Sequence, residues 1–364
     1  MTAHGPVLAH SVPGRRAVGV WLLCVAALIV AMLAVGGLTR LTGSGLSITE
    51  WDPIVGAIPP LTHADWMDAF HKYQLIPQYR LENAGMTLEA FKGIFWWEWI
   101  HRFLGRLIGF AFLVPFAWFA ATGAIGRKDW PRMLTLFALG GLQGFVGWWM
   151  VQSGLEVRVA VSQYRLAIHL GVAVLLLGAI LWTALRYLHP PLEVGSKRVA
   201  LRGGVAAKAA YVFISLVFVQ MLLGALVAGL HAGLIYNTWP TMDGRFLPEH
   251  PFAQGWISFF ENPGLAQFDH RIAAYGVAIF AYFFWQWLRS HGVRGMAMRA
   301  ADAVLVFTVM QVVLGVVTLL YQVPVALAAL HQVVAALLFC AAVWQAYELR
   351  NAGPALKAQI QLSP

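Results

Sequence analysis

The chain has 364 residues, a mean hydropathy of +0.68, 60% of its residues drawn from AVILMFWYC and only 11% charged. A typical globular chain carries about 25% charged residues, so this one cannot clothe a soluble surface, which excludes a soluble enzyme, a nucleic-acid reader and a disordered scaffold. It reads as an all-α polytopic membrane protein, and its +9 formal charge reads as basic residues gathered in cytoplasmic loops rather than as an acidic partner.

A tail over 1–16 ends in Arg15 and Arg16. A membrane-crossing helix needs about 20 mostly apolar residues, and the first such run is 17–38. It is too long for the apolar part of a signal peptide and no small-residue cleavage site follows, so a retained helix is expected. A long segment, 39–98, carries Trp51, Pro53, Pro59, Pro60 and Trp66. Apolar runs at 99–121, 133–152 and 164–187 complete an N-terminal four-helix half over 17–190. A linker at 191–207 leads to a C-terminal half over 208–350, with runs at 208–231, 268–288, 301–321 and 325–347. Its long segment, 232–267, carries Trp239, Pro240, Pro248 and Trp256, and a tail over 351–364 closes the chain. The two Trp- and Pro-rich segments are expected to be compact caps, although an ordinary interfacial aromatic belt accounts for the same enrichment.

The basic residues set the direction. Arg15/Arg16, Arg127/Lys128/Arg132, Arg186/Lys197/Arg198/Arg202/Lys208, Arg289/Arg294/Arg299 and Arg350/Lys357 fall at alternate ends of the eight runs. The positive-inside rule therefore places both termini in the cytoplasm and the long segments outside. Cys24 and Cys340 lie inside apolar runs with no C-x-x-C or C-x-x-C-H pattern, which argues against a thiolate metal site, a redox dithiol and covalent haem.

The halves repeat one another. Gly45-Leu46-Ser47-Ile48-Thr49-Glu50-Trp51 matches Gly233-Leu234-Ile235-Tyr236-Asn237-Thr238-Trp239; Glu98-Trp99-Ile100-His101-Arg102 matches Gln267-Phe268-Asp269-His270-Arg271; and the segment around His169 matches that around His331. Four runs follow four runs in the same direction. The expectation is two tandem four-helix bundles related by a pseudo-two-fold axis along the membrane normal.

Of the 12 histidines, His4, His10, His63, His71, His189, His250 and His291 lie in polar segments, and His231, opposite Gly43 in the repeat, reads as interfacial. His101, His169, His270 and His331 each fall within the first two turns of an even-numbered run, at one depth on the outer side. An ionisable residue in an apolar helix is a functional hypothesis by default. One such histidine is more often a packing residue, but two matched pairs on facing helices are the architecture of bis-histidine haem. Zinc or copper fits less well, since no carboxylate, Cys or Met completes a four-ligand set. Arg102, Arg165 and Arg271 stand beside these histidines and suit haem propionates, or else snorkel to the headgroups. Glu98 lies on the same face as His101, one turn outward, where the second half has Gln267. A carboxylate there can act as a base or stabilise positive charge, which an amide cannot; it can equally be a plain partner for Arg102. Asp269 points about 100° away from His270.

Taken together, from Gly37-Leu38-Thr39-Arg40-Leu41-Thr42-Gly43-Ser44-Gly45-Leu46-Ser47 through the Glu98-x-x-His101-Arg102 element to His331, the chain resembles the heme A synthase family. Some members carry paired cysteines in the outer loops; this chain has none there and so is similar to the cysteine-free branch of proteobacteria and mitochondria. The resemblance implies an inner-membrane oxidoreductase that converts the C8 methyl group of haem O to a formyl group, giving haem A for cytochrome oxidase. It implies a resident haem b on His270/His331, haem O as substrate on His101/His169, and Glu98 as the essential acid. It further implies heme O synthase as donor, an electron-transfer partner and membrane lipid, and is compatible with a homo-oligomer. The residues alone also leave open a quinol-linked di-haem b electron carrier and a haem transporter or chaperone.

Overall fold

Each apolar run of the sequence lies on a long helix. The structure, a computed structural model, describes residues 14–52, 55–155, 159–190, 193–194, 197–198 and 204–351. His4, His10, Pro53, Arg202, Lys357 and most of the two tails and the linker lie outside the described residues. In chain order the helices are α1 (Arg15–Leu41), α2 (His63–Gln74), α3 (Pro77–Leu81), α4 (Leu88–Ala121), α5 (Trp130–Leu155), α6 (Gln163–Leu188), α7 (Val205–Gly229), α8 (Ser258–Glu261), α9 (Pro263–Ser290), α10 (Gly295–Leu320) and α11 (Val325–Asn351). A two-residue strand pair, β1 (Glu193–Val194) with β2 (Lys197–Arg198), sits in the linker.

Seven helices, α1, α4, α5, α6, α7, α10 and α11, are long and apolar enough to cross a membrane. Helix α9 is as long, at 28 residues, but Gln267, Asp269, His270 and Arg271 interrupt its apolar run, and it does not join those seven. The outward faces are apolar: Phe110 is 65% exposed and Trp118 67%. Surfaces of that kind are stable against lipid rather than water.

Helix α4 starts well before the expected 99, at Leu88, where the Thr87 hydroxyl accepts from the Ala90 N–H at 3.3 Å. Apolarity alone missed these first turns because Glu89, Lys92 and Glu98 dilute them. They bury Phe91 and Phe95 against Leu46, Phe70, Tyr73 and Ile76, so the 39–98 segment is a cap with its own small core. Thr62 and Asp65 form a reciprocal capping box that starts α2.

The ends of α1 and α7 are instructive. Helix α1 closes with the Ser44 N–H on Thr39 O (2.8 Å) and the Gly43 N–H on Arg40 O (3.0 Å), and Gly43 takes φ +66°. This double bond pattern needs a left-handed residue, normally glycine. At the matching end of α7 the left-handed position is His231, at φ 52°. Histidine tolerates that region better than branched residues do. Burial and the nearby charge of Arg40 lower the proton affinity of His231, and Glu82 opposes them.

Helices α1, α4, α5 and α6 pack as a ring of neighbours, and α7, α9, α10 and α11 pack as a second ring; the two meet through α1, α6, α7 and α11. Core side chains fill both rings and the seam, among them Val25, Ile29, Leu177 and Ile180 in the first and Phe213, Val217, Val304 and Phe339 in the second. Arg15, Arg127, Lys128, Arg132 and Arg186 line a groove of about 660 Å³ at the end where α1 begins. The four candidate ligand histidines lie toward the other end, where α1, α5, α7 and α10 finish.

Candidate haem sites

Each ring of helices contains one histidine pair: His101 on α4 with His169 on α6, and His270 on α9 with His331 on α11. The His270 and His331 rings are 6.5 Å apart between centroids and inclined by 77°. Two imidazoles bonded to opposite sides of one metal at about 2.0–2.1 Å, the usual His–metal distance, have ring centres roughly 6 Å apart. The spacing therefore fits a bis-histidine metal.

Every one of these rings rests on a glycine of a neighbouring helix. A Cβ added to Gly36 would stand 3.0 Å from His101 Nε2, and one on Gly147 2.9 Å from His169 Cε1. On Gly224 and Gly315 it would stand 3.1 Å from His270 Cε1 and His331 Cε1. Only glycine lets the helix backbone come so close to the ring.

One turn before three of these glycines stands a glutamine. Gln143 Nε2 donates to the His169 carbonyl at 3.1 Å and lies 3.1 Å from its Nδ1. Gln220 Nε2 donates to the His270 carbonyl at 2.9 Å and lies 3.0 Å from its Nδ1. Gln311 Nε2 is 3.2 Å from His331 Nε2. The Oε1 atoms of Gln143, Gln220 and Gln311 are buried and have no partner among the described residues, and neither does His331 Nδ1. Buried unpaired oxygens of this kind call for an explanation. A ligating imidazole binds metal through one nitrogen and carries its proton on the other, for which it needs an acceptor. In each case Nε2, not Oε1, faces the ring, so the oxygen would have to turn to the imidazole to serve as that acceptor; the fit to haem iron rests on the paired rings and on the glycine gaps that admit them.

Glu98 is buried, 2% exposed, with both carboxylate oxygens engaged. Oε2 accepts from the Ser47 hydroxyl and the Ile48 N–H, each at 2.8 Å, while Oε1 accepts from Arg102 Nη2 at 2.7 Å and Nε at 3.1 Å. Gln267 occupies the matching place: its Nε2 donates to Ala232 O at 3.0 Å and Tyr236 O at 3.2 Å, and its Oε1 accepts from Arg271 Nη2 at 3.2 Å. Both side chains thus tie the α4 or α9 helix to the loop above it. The difference is charge: Glu98 brings a carboxylate where Gln267 brings none.

The three arginines already hold backbone carbonyls, those of Arg102 and Arg271 in loops and that of Arg165 on α5. Arg102 donates to Glu50 O and Ile48 O at 2.8 and 2.7 Å. Arg271 donates to Tyr236 O at 2.9 Å and Thr238 O at 3.0 Å. Arg165 donates to Trp149 O at 2.6 Å and lies 4.4 Å over the Trp149 ring. Their remaining donors can reach a carboxylate only beside these bonds. His231 lies apart from both pairs, and Asp269 has no hydrogen-bond partner among the described residues.

Sequence reading missed the glutamines and glycines. The signal was present: Gln143-x-x-x-Gly147, Gln220-x-x-x-Gly224 and Gln311-x-x-x-Gly315 put an amide and a gap one turn apart in otherwise apolar helices. The helices that carry the two pairs also meet across the seam. Gln332, next to His331, donates to Leu33 O of α1 at 2.7 Å and lies against Gly37, beside the Gly36 that carries His101.

Comparison with known proteins places these features in context. Residues 19–343 match the family model COX15-CtaA, cytochrome oxidase assembly protein. A heme A synthase of Parvibaculum lavamentivorans is 50% identical over 337 residues, covering 92% of this chain and 95% of its own. One from Azorhizobium caulinodans is 49% identical over 348 residues, covering 93% and 95%. Another, from Nitrosospira multiformis, is 46% identical over 339 residues, covering 93% and 94%.

Proposed function

This chain belongs to the heme A synthase family of cytochrome oxidase assembly proteins, and on that premise we propose that its two halves divide one reaction between them. The chain is an oxidoreductase acting on haem O. In our reading the first half holds haem O on His101 and His169, and the second half keeps a resident haem b on His270 and His331. The observation that carries this is the pair of histidine pairs at one end of two helix rings, each ring seated on a helix glycine.

The bound haem b would supply one-electron transfer. The protein's own groups do the rest. His101 and His169 fix the substrate ring, and the apolar walls of α1, α4, α5 and α6 receive its water-insoluble tail. Glu98, one turn outward from His101, holds negative charge beside the substrate. There it stabilises positive character developing at the C8 methyl carbon, or accepts a proton as oxygen is added. Arg102 pairs with that carboxylate at 2.7 Å and aims it. The contact of Gln332, next to His331, with α1, whose Gly36 seats His101, brings the two sites' supporting helices together across the seam.

The same reading has eight membrane spans, with α9 as the sixth, in two repeated halves. The support is the double ring of helices and the matched Gly43/His231, Gly36/Gly224 and Gly147/Gly315 positions. The basic groove of Arg15, Arg127, Lys128, Arg132 and Arg186 faces the cytoplasm of a cell with this protein in its inner membrane, and the histidines lie toward the outer side. A topology reporter inserted within 240–252 is expected to read outside; a cytoplasmic signal there overturns this orientation and the placement of the sites. Heme O synthase would be the donor, a further redox protein the electron partner, and self-association is compatible with the exposed apolar faces.

Chromatography of haems extracted from the purified protein tests the function as a whole. Haem O or haem A is expected beside haem B. Haem B alone, at two per chain, would mark an electron carrier instead.

A further inference from the structure

Three of the four ligand histidines have a glutamine on the neighbouring helix, one turn before the glycine on which the ring rests. His101 is the exception. Gly36 corresponds to Gly224, and four residues before Gly36 stands Met32, where the second half has Gln220. The Met32 Cε lies 3.3 Å from where a Cβ on Gly105 would be, so this thioether fills the space one turn from His101 on α4. The His101 ring has no hydrogen-bond partner among the described residues, and it turns its Nε2, not its Cε1, toward the α1 backbone at Gly36.

We propose that Met32 makes the first haem site exchangeable, by withholding from His101 the amide that stands against each of the other three ligand rings. The inference rests on the reading of His101/His169 as the substrate site. A site that receives haem O and surrenders haem A must let go of its ring, whereas a relay haem must stay. Groups that hold a ligating histidine in orientation matter to the metal it binds, and losing one typically costs about 10–100-fold in metal affinity. A thioether is a weak acceptor and no donor, and its flexible chain fills an irregular gap without fixing a neighbour. Gln220 does the opposite, bonding the His270 carbonyl at 2.9 Å and lying 3.0 Å from its Nδ1. Met32 is therefore a positioning residue that acts through His101.

The test uses the full chain purified in detergent, with Met32→Gln, Met32→Leu and Gln220→Met beside the wild type. The readout is the rate at which each haem passes to excess apomyoglobin, each haem identified by chromatography. Met32→Gln is expected to slow the loss of haem O and haem A by about 10–100-fold, with haem A accumulating on the protein and haem B content unchanged. Met32→Leu, which adds no amide, should lose them as the wild type does. Gln220→Met should speed haem B loss by a similar factor. Wild-type rates of haem O and haem A loss from Met32→Gln, in protein that keeps its haem B, overturn the proposal. Should Met32→Gln fail to fold, unchanged haem B loss from Gln220→Met overturns it instead. A wild-type protein holding no haem O or haem A under any condition would defeat the two-site reading itself, a result separate from either.

Discussion

Glu98→Gln is expected to lower haem A formation by about 10²–10³-fold, the usual cost of removing one preorganised charge or donor from a reaction site. The substitution keeps the volume and leaves His101 and His169 in place, so the second-half haem should remain at wild-type content. It also disturbs the loop, because both carboxylate oxygens now accept: from Ser47 and Ile48 on one side and from Arg102 on the other. An amide offers one acceptor oxygen and turns its NH₂ toward donors on the opposite side. Ser47→Ala separates the two effects, since it removes a loop contact and keeps the charge. That variant should retain haem A formation within a few-fold, while Glu98→Gln accumulates haem O or a hydroxylated intermediate. The measurement is chromatography of acid-extracted haems from cells that lack the native enzyme. Wild-type haem A from Glu98→Gln would leave Glu98 as a latch and nothing more, the role Gln267 already fills in the second half.

Much of this architecture was legible because lipid imposes so simple a demand on sequence. Apolar runs of about 20 residues have few alternatives to helix, so the runs that begin at 17, 133, 164, 208, 301 and 325 all lie on helices whose ends fall close by. The failures come where polarity and helicity part company. Helix α4 extends back to Leu88 because Phe91 and Phe95 are buried in the cap, a tertiary reason that the charges of Glu89, Lys92 and Glu98 hide. Helix α9 shows the same conflict, since the residues that equip the site also dilute its apolar run. The histidines were legible by duplication: one of them would say little, but four at matched depth say a good deal. Gln143, Gln220 and Gln311 escaped because a single glutamine in an apolar helix carries no periodic signature, and its meaning depends on a ring from another helix. The loop bonds of Arg102 and Arg271 escaped for a related reason, since no pattern in the sequence names a carbonyl.

His331→Ala should abolish the low-spin b-type spectrum of the second half and leave haem bound at His101/His169 in place. The ring sits between Gly315 on α10 and His270 across the site, so its loss removes one of two ligands and opens a hole the size of an imidazole. The hole is lined by a glycine, which cannot fill it, and by Gln311, whose buried Oε1 lacks a partner. Adding free imidazole is expected to restore the spectrum in large part, because it can occupy that space and bond the iron. Rescue by a small molecule is what ligation predicts and what a folding defect does not, since a misassembled ring of helices has no hole of that shape to refill. The same substitution at His169 should remove haem O and haem A from the extract and spare haem B, because the two pairs lie in different helix rings. A folded His331→Ala protein with an unchanged spectrum and full haem B content would show that the iron is held elsewhere. The 6.5 Å spacing of the His270 and His331 rings would then be a packing distance.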